Sequence, residues 1–211
     1  MSIRNTLAVV VIAMSAVSPA QAQLSGTSIK GMLGSASDAA LDKLSKPGAF
    51  SADSAIRIAL PGQADKLSGL MKLTDAAGLT NDISGSLNRA AEQAAGEAKP
   101  IFRSAIDKAS MNDAISIARG GNTGATDYLK KTSGGEIMAK LLPLIKAALD
   151  KSGVFKQTAQ LSSFGLDPAK LTEYVTQKTS DGIFTYVGRE ETRLRQDPIG
   201  SGKELLKGLK F

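Results

Sequence analysis

The sequence predicts an all-α fold, a single-domain multi-helix bundle with one short extended segment near residues 55–60. Three observations lead there. Apolar residues recur at three- and four-residue steps along most of the chain. Pro and Gly stand where those runs end. One run alone alternates with period two, and no second strand is apparent to build a sheet with it.

The chain starts with a three-part leader. Arg4 supplies a positive start, Leu7 to Val17 an apolar stretch, and Ala20-Gln21-Ala22 a small-x-small cleavage site after Pro19. The apolar stretch is shorter than the roughly 20 residues that a membrane-spanning helix needs. Residues 1–22 are therefore expected to be a cleaved signal peptide and residues 23–211 a single exported helical domain. The expected location is the periplasm, with no transmembrane segment left after cleavage.

The mature chain then reads as follows. Ile29, Met32, Leu33, Ala36, Ala40 and Leu44 share one helical face, which Pro47-Gly48 stops. Ile56, Ile58 and Leu60 alternate with Arg57 and Ala59 before Pro61-Gly62, an extended piece with one buried side. Its backbone must lie along helices, meet a cryptic strand, or pair with another copy of the chain. Leu67, Leu70, Met71 and Leu73 predict a second helix ending near Gly78. Asn81 or Asp82 can cap a third, whose Ala-rich face would let a neighbour approach closely. Pro100 kinks or splits it.

A short helix is expected from Asn112 to Arg119, ended by Gly120-Gly121, and another from Thr123 to Leu129. Ile137 to Leu149 is the most apolar segment, interrupted by Pro143 and ended by Gly153, and a weak helix follows from Phe155 to Leu161. Asp167-Pro168 opens the last long helix, a capping residue followed by Pro at the first helical position. Asp197-Pro198 closes it, and Gly200 to Phe211 reads as a tail helix.

Much chemistry is absent by composition. The 211 residues include no His and no Cys. That excludes imidazole bases, thiolate nucleophiles, disulfides, and zinc sites built on Cys or His. The formal charge of +6 is dispersed, with Lys130-Lys131 the one adjacent basic pair, unlike the concentrated basic stripe of a nucleic-acid binder. Gly200-Ser201-Gly202-Lys203 looks like the end of a phosphate-binding loop. It lacks the Gly required where Asp197 stands and the Ser or Thr required where Glu204 stands. Gly120 to Gly124 precedes a helix and could offer backbone N–H groups to an anion, or could simply end one helix and start the next. No cofactor and no metal site is implied.

The order of segments resembles an exported bacterial family catalogued as domain of unknown function 4197. The resemblance rests on Ile58-Ala59-Leu60-Pro61, Asn88-Arg89-Ala90-Ala91-Glu92, Asn112-Asp113-Ala114, Gly120-Gly121 and Ala125-Thr126-Asp127-Tyr128-Leu129. It continues through Tyr174-Val175-Thr176, Asp181-Gly182-Ile183-Phe184, Glu190-Glu191, Arg195-Gln196-Asp197-Pro198 and Leu205-Leu206-Lys207. The chain departs from the family's pattern at Ala59, where Pro is expected, and in its Lys210-Phe211 ending. The resemblance implies an exported helical domain of Gram-negative type bacteria and no particular reaction.

Carboxylates are the remaining catalytic groups. Arg89, Glu92, Glu190, Glu191 and Arg195 form a candidate polar network or ligand-binding cluster, in which Glu191 and Arg195 are spaced for an i,i+4 pair. The same residues also suit solvated helix faces and caps. The apolar residues of 137–149 cover more than one helical face, so that segment is either a central buried helix or partly a cleft. Leu141, Leu142, Ile145 and Leu149 are the candidate cleft residues. The expected role is a non-enzymatic module for an envelope partner, protein or lipid-like. A carboxylate-dependent enzyme, metal-assisted or hydrolytic, is the alternative, and self-assembly through residues 56–60 into a homo-oligomer is a third reading.

Overall fold

A computed structural model describes residues 26–60, 79–110, 117, 120–158 and 167–197. The leader, the helix predicted to end near Gly78, most of the short helix predicted over 112–119 and the tail helix lie outside these residues.

Among the described residues the fold is all-α, with seven α-helices and a 3-10 turn. They are α1 (Gly26–Leu44), α2 (Ala49–Ala52), α3 (Leu79–Glu97), α4 (Lys99–Lys108), α5 (Gly124–Ser152), α6 (Val154–Thr158) and α7 (Pro168–Gln196), with the 3-10 turn over Gly121–Thr123. The predicted face of α1 is buried apart from half-buried Met32, and Gly48 turns the chain at φ 83°, a left-handed conformation that suits glycine. Pro100 splits α3 from α4 by standing in the first turn of the latter, where a missing N–H costs nothing. Asp167 caps α7 by accepting a hydrogen bond from the Lys170 N–H at 2.8 Å.

α7 lies chiefly against α5 and α1, and α3 also packs against α5. The core between them mixes large side chains (Phe50, Phe102, Leu33, Leu87, Leu129, Ile145) with a row of alanines on α3. Small residues set how closely elements meet. A Cβ on Gly182 of α7 would lie 2.8 Å from the Phe50 ring, which is fully buried.

The extended segment is present, and among the described residues side chains pair with it rather than a second strand. Ile56, Ile58 and Leu60 are buried while Arg57 is exposed, as period two requires. The Asn88 side chain supplies the ladder. Its Oδ1 accepts the Ile58 N–H at 2.9 Å, and its Nδ2 donates to the Ile58 carbonyl at 2.8 Å. The next carbonyl, of Ala59, accepts from the Tyr174 hydroxyl at 2.9 Å. The segment thus lies between α3 and α7 with these backbone groups satisfied by side chains.

Three boundaries differ from expectation. α3 begins at Leu79, ahead of the expected caps Asn81 and Asp82. Among the described residues, α6 spans Val154–Thr158 rather than starting at Phe155. The helices expected at 123–129 and 137–149 are one continuous α5, running through Gly134-Gly135 and Pro143. Propensity argues for breaks there, but Leu129, Ile137, Leu141, Ile145 and Leu149 all bury on one side, and that tertiary packing outweighs the local cost. Pro143 is tolerated on the exposed side.

Candidate functional site

The predicted polar cluster divides three ways, because neighbouring residues on a helix point about 100° apart. Glu191, fully buried, faces the start of α5. Its Oε1 accepts the Ala125 N–H at 3.0 Å, and its Oε2 accepts the Thr126 N–H at 2.8 Å and the Thr126 hydroxyl at 2.6 Å. Thr123, the local cap position, instead donates its hydroxyl to Asp127 at 2.9 Å. The helix start therefore takes its anion from α7, where the positive end of the helix dipole favours it. Arg195 completes the arrangement, with Nε 2.8 Å and Nη2 2.7 Å from Glu191 Oε1, the i,i+4 pair expected.

This start of α5 is built by its glycines. Gly121 adopts φ 78°, and a Cβ on Gly124 would come within 2.3 Å of the Ile117 carbonyl oxygen. Gly120–Gly124 thus ends one helical stretch and starts the next, and the first N–H groups beyond it, of Ala125 and Thr126, are taken by the protein's own Glu191.

Glu190 turns the other way. Its side chain is 5% exposed and accepts from Lys43 of α1 and, at 3.0 Å, from Arg193. Burial pushes its pKa up, but the hydrogen bonds from Lys43 and Arg193 outweigh that and hold it below the ordinary Glu value. Glu92 is separate again, accepting the buried Phe50 N–H in the first turn of α2 at 3.1 Å. Arg89 is exposed and donates to Ser86 Oγ at 2.9 Å. No described hydrogen bond or ion pair joins Arg89 or Glu92 to Glu190, Glu191 or Arg195.

One polar cluster carries no sequence signal because its members are more than a hundred residues apart. Asp53 accepts from the Ala55 N–H at 2.9 Å, the Tyr186 hydroxyl at 3.0 Å and Arg189, whose guanidinium stacks 4.7 Å from the Tyr186 ring centre. The Arg189 and Ala55 hydrogen bonds hold the Asp53 carboxyl at about 2.

The candidate cleft residues also separate. Leu141, Ile145 and Leu149 are fully buried in the core, whereas Leu142 is 37% exposed and opens onto a groove of about 370 Å³. Leu142, Lys146 and Asp150 of α5 form one wall, Phe155 of α6 the end, and Pro168, Ala169, Thr172 and Glu173 of α7 the other wall. Sequence placed Leu142 there; Phe155, Pro168 and Ala169 arrive only because α6 and the start of α7 fold back beside the end of α5. A second, more polar hollow of about 290 Å³ lies between α5 and α7 around Lys130, Phe184 and Arg189. Its two cations are already engaged, Lys130 with Asp181 at 2.9 Å and Arg189 with Asp53.

No group of three or more acids among the described residues is placed to hold a metal ion. No described helix is long and apolar enough to cross a membrane.

Together these features define an all-α bundle whose buried acids close helix ends and whose apolar groove opens at the α5–α6–α7 corner. The sequence profile of the family described as Protein of unknown function (DUF4197) matches residues 20–209, and the chain belongs to that family. No curated protein and no solved structure matches the chain.

Proposed function

We propose that this protein is a non-enzymatic periplasmic module that holds a small lipid-like amphiphile of the envelope. The observation that carries this reading is the groove beside Leu142. Its volume of about 370 Å³ falls in the range of small-ligand sites, and its mainly apolar lining includes a few polar groups. A protein partner is less well supported. Leu142 is the one exposed large hydrophobic residue among those described, whereas a stable protein interface buries about 800 Å² per partner.

Catalysis by carboxylates has weaker support. Glu92 and Glu191 accept backbone N–H groups of other helices, and Glu190 is held by Lys43 and Arg193. A general acid working near neutral pH needs a raised pKa. The described carboxylates with shifted pKa values, among them Asp53, Asp181 and Glu190, are shifted downward. Export rests on the Arg4, Leu7–Val17 and Ala20-Gln21-Ala22 pattern, beside which the family match begins.

The test is a native mass spectrum of the protein recovered from the periplasm of cells expressing the full chain, repeated after denaturation and solvent extraction. Expected are an N-terminus at Gln23 and an extra mass that releases as a lipid-like molecule. A chain found uncleaved in the cytoplasm overturns the location, and a bare chain mass that acquires no added amphiphile overturns the binding role.

A further inference from the structure

We propose that the groove beside Leu142 selects amphiphiles with a cationic head group over anionic ones, an inference that rests on the groove being the ligand site. Leu142, Phe155 and Ala169 supply apolar surface for the chain, and a head group must meet the polar part of the lining. Three charged side chains belong to that lining. Lys146 Nζ lies 2.8 Å from Asp150 Oδ2, so these two compensate each other. Glu173 has no hydrogen bond or ion pair among the described residues. It stands one helical turn beyond Ala169 on the same face of α7.

The surrounding cations do not line the groove, so they act on a head group there only through screened solvent. Lys170 is held by Asp167 at 3.4 Å, and Lys151 and Lys156 are exposed on neighbouring turns but do not line the groove. Among the described residues that line the groove, the one charge without a described partner is thus the Glu173 carboxylate. A phosphate, sulfate or carboxylate head would sit against it, whereas an ammonium head would pair with it. Because Glu173 is exposed, the pairing is of the modest, salt-screened kind.

The test compares three sub-micellar probes with one apolar chain and different heads: octyltrimethylammonium, octyl glucoside and octyl sulfate. Binding to the intact protein is followed by chemical-shift changes at the groove amides. Octyltrimethylammonium should bind about threefold tighter than octyl glucoside and about tenfold tighter than octyl sulfate, with the differences fading in high salt. Glu173→Gln should remove the cation preference and bring the affinities for the three probes together, while Leu142→Ala should weaken all three. Equal affinities, or preference for octyl sulfate, overturn the head-group selection and leave the groove as a ligand site. If no probe moves the groove amides, the ligand site itself is overturned, and the selection with it.

Discussion

Glu191 of α7 holds Thr126 of α5 at two points, accepting its backbone N–H at 2.8 Å and its hydroxyl at 2.6 Å through the same oxygen. A helix whose own cap residue is engaged elsewhere is closed by an acid from a neighbour, 65 positions along the chain. This ties the two longest described helices together at the start of α5.

Removing that acid should be among the most damaging single changes. Glu191→Ala leaves Arg195 uncompensated and the Ala125 and Thr126 N–H groups buried without an acceptor. A loss of about 3–5 kcal/mol is expected. Glu191→Gln keeps the shape but turns an amide NH₂ toward donors, and should recover only part of the loss. Urea unfolding of both variants checks the order.

Asn88 is expected to matter for the extended segment more than for its own helix. Asn88→Ala leaves both the N–H and the carbonyl of buried Ile58 unpaired, at about 1–3 kcal/mol each. Amide exchange at Ile58 should accelerate well before the α3 amides respond. Equal acceleration across α3 would show that Asn88 supports the helix and not the segment.

Two glycines should behave oppositely when changed to alanine. At Gly182 the new methyl would meet the buried Phe50 ring at 2.8 Å, a crowding expected to cost about 1–3 kcal/mol. At exposed Gly135 nothing lies within 4 Å of the new methyl, and a mid-helix alanine is favoured by about 1 kcal/mol. Thermal unfolding midpoints should therefore move down for Gly182→Ala and up for Gly135→Ala.

Acid should loosen the contact between Asp53 and α7. The folded carboxyl titrates at about 2, below the value of about 4 in an unfolded chain, so its contribution is complete above pH 4 and disappears as pH falls toward 2. Glu190, also lowered, contributes with the same sign. The stability difference between the protein and Asp53→Asn should shrink across that window in urea titrations at successive pH values. A constant difference would show that the carboxyl charge contributes nothing there.

The sequence read best where a signal acts within one or two turns. The face of α1 and its stop at Pro47-Gly48, the limits of α7 between Asp167 and Asp197, and the alternation at Ile56–Leu60 all follow from local spacing and caps. The Glu191–Arg195 pair was legible for the same reason. The unity of α5 was not, because Gly134, Gly135 and Pro143 signal breaks that only the buried face of the folded helix outweighs.

By itself, then, the sequence determined that this protein is helical, where most helices end, which residues alternate in the extended piece, and that imidazole and thiolate chemistry are absent. The tertiary structure decided which distant groups meet. Glu190 reaches Lys43 while Glu191 reaches Thr126, Asn88 reaches Ile58, and Phe155 and Ala169 reach Leu142. The reason is physical: caps and periodicity are set by backbone geometry within a turn. Which carboxylate meets which helix end depends on the packing angles of whole helices, and those arise only when the apolar faces are buried together.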